Sequence, residues 1–243
     1  MPARRITIDP RTVQRARFAD KRVLESEVMD ESGSVGAYLD GVATAHLDRL
    51  DDTFVRSALR SVPRRARVLD IGTGTAAIPV KLALRRDDVT VVGIDLSDAM
   101  LDAARERVSR ARLKSRVRVR TGSARKIPFP RAAFDLVVSN SLLHHLPDPV
   151  PAFNEMARVL APAGRIFIRD LRRPAPSRMK AHIRRHGRFY RGEMLRLFSD
   201  SVRAAFKVAE IRELVAASRL RGCRVRPQFE TYVVIEGRPR RGR

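Results

Sequence analysis

The sequence predicts an α/β protein whose core is a doubly wound, mostly parallel β-sheet. Apolar runs alternate with helical patterns along most of the chain, which is typical of a parallel sheet covered by helices on both faces. One apolar run leads into the glycine turn of VLDIGTG (68–74), and the next, VTVVGID, ends at Asp95. Strand, glycine turn, helix, strand and terminal acid form the βαβ unit of nucleotide-binding sheets. We therefore expect a ligand site at the carboxyl ends of these strands.

The remaining elements follow in order along the chain. We expect five parallel strands, near 67–71, 89–94, 117–121, 134–139 and 164–169. Two later strands, 224–227 and 231–237, are expected to form an antiparallel edge hairpin. The predicted divisions are a flexible basic N-terminus (1–18), a helical segment (19–60), the sheet domain (61–237, with an insert at 172–206) and a basic tail (238–243).

Asp70 separates two possible nucleotide ligands. Gly72, Gly74 and Ala77 fit the dinucleotide pattern G-x-G-x-x-A, but a carboxylate at Asp70 repels a pyrophosphate. It attracts an ammonium group, and S-adenosyl-L-methionine carries one beside its sulfonium, ribose and adenine. The sequence therefore favours S-adenosyl-L-methionine over a nicotinamide cofactor.

Asp95 is expected to accept hydrogen bonds from the two ribose hydroxyls, because an ionised carboxylate is purely an acceptor. Ser97 is the better N-cap for the helix SDAMLDAARERV that follows. That assignment leaves Asp95 free for the ligand.

Five segments, taken together, resemble the class I S-adenosylmethionine-dependent methyltransferases in order and spacing over residues 60–172. They are VLDIGTGTA, VVGIDLS, TGSARKIPFP, FDLVVSNSLLHHLPDP and ARVLAPAGRIFIRDL. The flanking sequences look like a bacterial small-molecule subgroup, similar to methyltransferase domains 11 and 25. The resemblance implies a Rossmann-like seven-stranded sheet, a helical lid formed by 19–60, and S-adenosyl-L-homocysteine as a product.

The resemblance also implies the cofactor contacts. They are assigned to Asp70, Gly72, Thr73, Gly74, Asp95, Leu96, Met100, Ser123, Ala124 and Asn140. Leu96 and Met100 are expected to pack on the adenine, and Asn140 to lie beside the methyl-transfer position. Many members have an acid at position 123, where this chain has a serine that accepts hydrogen bonds more weakly.

His144 and His145 are the candidate general bases, because a neutral imidazole can take a proton from an acceptor hydroxyl, thiol or amine. The sequence gives no preference between the two. No metal site is expected, since His182 and His186 lack a nearby carboxylate or cysteine partner.

The net charge of +23 raises the question of nucleic acid. The chain has 44 arginines among its 50 basic residues, and they are spread along its whole length, as a GC-rich genome would produce. We expect a small-molecule acceptor first and an RNA or ribosomal acceptor second, with a non-catalytic S-adenosylmethionine-binding protein as a further alternative. No membrane-spanning segment or signal peptide is expected, and a single cysteine, Cys223, agrees with a cytoplasmic location. The oligomeric state is left open.

Overall fold

The computed structural model describes residues 22–24, 41–60 and 62–240. Its centre is a seven-stranded sheet in the order β3-β2-β1-β4-β5-β7-β6. Five strands are parallel and β7 runs antiparallel to both β5 and β6, which confirms the predicted fold class. The strands are β1 Arg67–Ile71, β2 Thr90–Asp95, β3 Val117–Thr121, β4 Phe134–Asn140, β5 Leu160–Leu171, β6 Arg224–Gln228 and β7 Tyr232–Gly237.

Seven α-helices lie within the described ranges. They are α1 Gly41–Ala58, α2 Ala77–Arg85, α3 Asp98–Arg110, α4 Val150–Val159, α5 Met179–His186, α6 Gly192–Ala204 and α7 Val208–Ala216. Ser97 is the N-cap of α3, where its hydroxyl accepts from the Met100 N–H at 3.2 Å. None of the helices in these ranges is long and apolar enough to cross a membrane.

Helices cover both faces of the sheet because successive strand residues point in opposite directions. Val68 packs with Phe54 of α1 in one buried cluster, whereas the adjacent Leu69 packs with Phe153 of α4 in another. Both faces are therefore apolar, as the near-continuous hydrophobic strands predict.

From β1, the chain first adds β2 and β3 on one side of the sheet and then β4 and β5 on the other. Ligands of doubly wound sheets bind at such a switch point. A third apolar cluster stands beside it and contains residues of α6 and of the ends of β5 and β7, including Leu171, Met194 and Tyr232. The predicted basic segment 1–18, residues 19–21 and 25–40 of the predicted lid and residues 241–243 of the tail lie outside the described residues. The domain divisions stay predictions.

Candidate active site

A cavity of about 220 Å³ opens at the carboxyl ends of β1, β2, β4 and β5. Nine of the predicted site residues line it: Asp70, Gly72, Thr73, Gly74, Asp95, Met100, Asn140, His144 and His145. Residues that are 75 positions apart in the sequence thus share one space. The assigned roles stay predictions, but the structure brings these side chains together.

Asp70 is the last residue but one of β1, and its carboxyl group is deeply buried, with 1 % of the residue's surface exposed. Its Oδ2 accepts from the Thr73 hydroxyl at 2.8 Å. Its Oδ1 has no hydrogen-bond partner among the residues that the structure describes. Burial raises the pKa of Asp70 to about 7; the Thr73 hydroxyl opposes this shift, and the nearby Asp95 and Asp51 reinforce it. A buried acceptor without a donor is costly to the fold and suits a cationic or hydrogen-bonding ligand.

The turn after Asp70 brings backbone close to the cavity. Gly72 and Gly74 have φ angles of +71° and +49°, a region that glycine enters without steric cost. A Cβ at Gly72 would lie 3.0 Å from the Leu142 side chain, whereas a Cβ at Gly74 would meet nothing within 4 Å. Ala76 also adopts a left-handed conformation, at φ 59°.

The contacts of Asp95 differ from the prediction that its carboxylate is free for the ligand. Ser97 does cap α3, but Asp95 is not left free: its Oδ1 accepts from the Ser97 N–H at 3.0 Å and its Oδ2 from the Gly74 N–H at 2.8 Å. The carboxylate therefore ties the glycine turn to the start of α3. Since an ionised carboxylate offers about four lone-pair positions, about two remain for ligand hydroxyls.

Three predicted cofactor contacts do not line the cavity. Leu96 lies on the surface with 37 % exposure, and Ala124 is packed into the core on the face of α4. The Ser123 hydroxyl accepts from the Arg125 N–H at 3.2 Å within its own turn. Leu96, Ser123 and Ala124 stay predictions as ligand contacts.

His144 is held by a carboxylate that the sequence analysis missed. The buried His144 Nδ1 lies 2.7 Å from Asp170 Oδ1, and Asp170 Oδ2 accepts from the Leu143 N–H at 2.6 Å. An ionised carboxylate can only accept, so His144 Nδ1 is the donor and Nε2 is the basic nitrogen. The His145 ring lies 4.3 Å from the His144 ring. The sequence does contain a signal for this residue, because Asp170 is the acid near the end of the apolar segment RIFIRDL.

Asn140 is fixed by a second buried network. Its Oδ1 accepts from Arg169 Nε at 3.0 Å, and its Nδ2 lies 3.5 Å from Asp51 Oδ1. Arg169 is 1 % exposed and also donates to the Leu50 carbonyl and the Thr53 hydroxyl of α1. Burial raises the pKa of Asp51 to about 6, against the opposing effect of Arg169 and Lys81. The network joins α1 to the ends of β4 and β5.

Part of the cavity lining is an apolar cluster. It consists of buried side chains from the ends of β5 and β7 and from the segment around α6: Leu171, Tyr190, Met194, Phe198 and Tyr232. Burial raises the pKa of the Tyr232 hydroxyl. The cavity lining thus combines carboxylates with a cluster of apolar side chains, and it also includes His144 and Asn140. Within the described ranges, no group of three or more His, Cys, Asp or Glu side chains could hold a metal ion.

Comparison with known proteins agrees with this geometry. Residues 69–168 match a family model described as a methyltransferase domain. The chain is 36 % identical over 127 residues to 27-O-demethylrifamycin SV methyltransferase from Amycolatopsis mediterranei, covering 51 % of this chain and 46 % of that protein. It is 36 % identical over 118 residues to demethylmenaquinone methyltransferase from Deinococcus radiodurans, covering 49 % and 47 % respectively. The matches therefore span about half the length of these relatives.

Solved structures share the fold. A SAM-dependent methyltransferase from Aquifex aeolicus has a TM-score of 0.59 and 21 % identity, over 81 % of this chain and 97 % of that one. A putative S-adenosyl-L-methionine-dependent methyltransferase from Methanococcus maripaludis has a TM-score of 0.61 and 17 % identity, over 82 % and 94 %. With the motifs, the strand order and the match in agreement, residues 69–168 form a methyltransferase domain of the class I S-adenosylmethionine-dependent type.

Proposed function

We propose that this chain is an enzyme that transfers a methyl group from S-adenosyl-L-methionine to a hydroxyl of a small, largely apolar acceptor. The observation that carries the proposal is a single cavity that contains the unpartnered Asp70 oxygen and has the His144–Asp170 pair in its wall. The first feature suits a cationic donor, and the second suits removal of a proton from an acceptor.

The carboxylates of the lining fit S-adenosyl-L-methionine. Asp70 would face the ammonium group, the remaining lone pairs of Asp95 would accept from the ribose hydroxyls, and Met100 would pack on the adenine. The open space beside Gly74 leaves room for a ligand against the backbone. When bound, this donor supplies a methyl group on a sulfonium, which is already a good leaving group, so alignment of the acceptor supplies much of the catalysis.

His144 is the proposed general base. With Nδ1 donating to Asp170, its Nε2 would be the atom that takes the proton from an acceptor hydroxyl. Asp170 keeps the imidazole in that tautomer and stabilises the imidazolium that forms, as a carboxylate does in hydrolase triads. His145 keeps its place as a predicted alternative, and His144 is preferred because Asp170 contacts its ring.

The apolar cluster supports a small-molecule acceptor. Leu171, Met194 and Phe198 offer apolar surface, and the two tyrosines add aromatic rings that can pack on a planar acceptor. The names of the matched relatives point the same way, since they refer to a rifamycin and a menaquinone precursor. No observation of this cavity favours RNA.

Calorimetry with S-adenosyl-L-homocysteine tests the donor site. We expect micromolar affinity, about −8 kcal/mol, and a loss of roughly 1.5–3 kcal/mol in Asp95→Ala, because ligand hydroxyls lose a charged acceptor. Mass spectrometry of co-purified ligands would identify the acceptor class. Binding of NAD without binding of S-adenosyl-L-homocysteine would refute the proposal.

A further inference from the structure

Arg22 reaches the back of the candidate active site from a remote part of the chain. Its guanidinium is buried, with 6 % of the residue exposed, and donates to three backbone carbonyls. The acceptors are Ala204 O at 2.6 Å, Leu146 O at 3.2 Å and His144 O at 2.8 Å. The guanidinium also lies over the Phe206 ring, 3.5 Å from its centroid. One side chain therefore joins the end of α6 to the loop that carries His144.

Among the residues that the structure describes, no carboxylate forms an ion pair with this guanidinium. The nearby Arg173 is paired with Glu210 at 2.7 Å, and Asp170 is occupied by His144 and the Leu143 N–H. Burial lowers the pKa of Arg22 to about 10, and Arg173 adds to this shift. A buried cation held mainly by carbonyls is a poor source of net stability. Its contribution is a fixed geometry, since the planar guanidinium presents its donors at set angles.

The short loop Leu143–Leu146 is consequently held from two sides. Asp170 binds the ring of His144 and the N–H of Leu143, while Arg22 binds the carbonyls of His144 and Leu146. We infer that Arg22 is a positioning residue, which acts across 122 sequence positions to hold the His144 backbone so that its ring stays aligned between Asp170 and the cavity. The inference rests on the proposed function of His144 as the base.

Magnetic resonance of the full chain with ¹⁵N-labelled histidine tests this directly. The His144 Nδ1 proton shared with Asp170 should resonate far downfield of the amides, and its absence in His144→Gln would assign it. In Arg22→Ala we expect this resonance to be lost or shifted, and millimolar guanidinium should restore it by filling the vacated site. In Arg22→Lys it should also shift, because an ammonium cannot span three carbonyls. This variant keeps the test open if Arg22→Ala does not fold.

Arg116→Ala is the matched control. Arg116 also donates from one guanidinium to two backbone carbonyls, Ala83 O at 2.7 Å and Arg86 O at 3.0 Å, but it lies just before β3, away from the cavity. Its removal should cost stability yet leave the His144 resonance in place. Guanidinium should have no effect on that variant's spectrum.

Binding of S-adenosyl-L-homocysteine separates the two possible failures. Its affinity should change by less than about threefold in every folded Arg22 variant, because Asp70, Gly74 and Asp95 lie on other elements. An unchanged His144 resonance in folded Arg22→Ala and Arg22→Lys would overturn the inference and leave the proposed function standing. Failure of the wild-type chain to bind S-adenosyl-L-homocysteine would instead overturn the proposed function.

Discussion

At neutral pH, replacing Asp70 by asparagine should raise the free energy of unfolding of the ligand-free protein and lower its affinity for the methyl donor. Asp70 is 1 % exposed, and its pKa is raised from 3.8 to about 7, chiefly by burial. The folded state therefore holds a proton that the unfolded state has lost at every pH between these values. Because the unfolded state binds fewer protons there, stability falls as the pH rises from about 4 to about 7.

The size of this change in stability follows from the shift in the pKa of Asp70. About three pKa units, at about 1.4 kcal/mol each, correspond to about 4 kcal/mol of unfolding free energy that is present below pH 4 and absent above pH 7. An asparagine of the same shape does not titrate, and its amide oxygen can still accept from the Thr73 hydroxyl. The difference in unfolding free energy between Asp70→Asn and wild type should thus grow by about that amount between pH 4 and pH 8.

Urea unfolding at several pH values, followed by circular dichroism because the chain has no tryptophan, measures this difference. Asp88→Asn is the control of opposite sign. The Arg86 guanidinium, with help from the Arg65 N–H, holds the pKa of Asp88 well below its usual range. Its contribution is therefore present at neutral pH and lost in acid. If the Asp70→Asn and wild-type curves run parallel from pH 4 to pH 8, the raised pKa of Asp70 is refuted. In the same variant, S-adenosyl-L-homocysteine should bind roughly 1–3 kcal/mol more weakly, through loss of a charged hydrogen bond.

Three further predictions concern the acceptor side. Asp170→Asn should lower the rate of methyl transfer at neutral pH by about 10²–10⁴-fold, as loss of an oriented base does, and calorimetry should show unchanged donor affinity. Met194→Trp should fill the space beside the apolar cluster and raise KM for the acceptor at least tenfold in initial-rate measurements, whereas a weakened donor affinity would contradict the division of the cavity lining. The double variant Arg184→Gln, Arg185→Gln should keep the free energies of unfolding and of donor binding within about 1 kcal/mol of the wild-type values, because both side chains are exposed. If the wild-type chain instead captures one RNA fragment with a steep salt dependence, and these changes abolish the capture, RNA becomes the favoured acceptor.

The strands and the glycine turn could be predicted because their signals are local. These signals are the apolar runs, the spacing between VLDIGTG and Asp95, and the Ser97 cap, and each involves residues that are close in sequence. The predicted strand limits agree with the observed ones within a few residues. The largest difference is β5, which begins at Leu160 rather than 164 because Leu160 pairs with Phe134 across a register shift. That pairing depends on a neighbouring strand and leaves no mark in the segment itself.

The partners of the site residues could not be predicted because they come from distant segments. His144 meets Asp170 26 positions away, and Arg169 meets the Leu50 carbonyl 119 positions away. Charge patterns were also misleading here. Arg173 stands among several other arginines in the segment RDLRRPAPSR, but it is buried and paired with Glu210.

The polar and the apolar residues of the cavity lining come from different parts of the chain. Similarity to relatives is therefore informative about one group and not about the other. Asp70, Asp95 and Asn140 lie inside the matched residues 69–168, so likeness to the family extends to the residues proposed for the donor. The apolar side chains, from Leu171 to Tyr232, all lie beyond the match. A relative's name therefore carries more information about the donor than about the acceptor. Exchanging α6 (Gly192–Ala204) should change acceptor selectivity without changing the affinity for the donor, since the turn after Asp70 is held by backbone hydrogen bonds from Gly72 and Thr73 to Ile94 of β2.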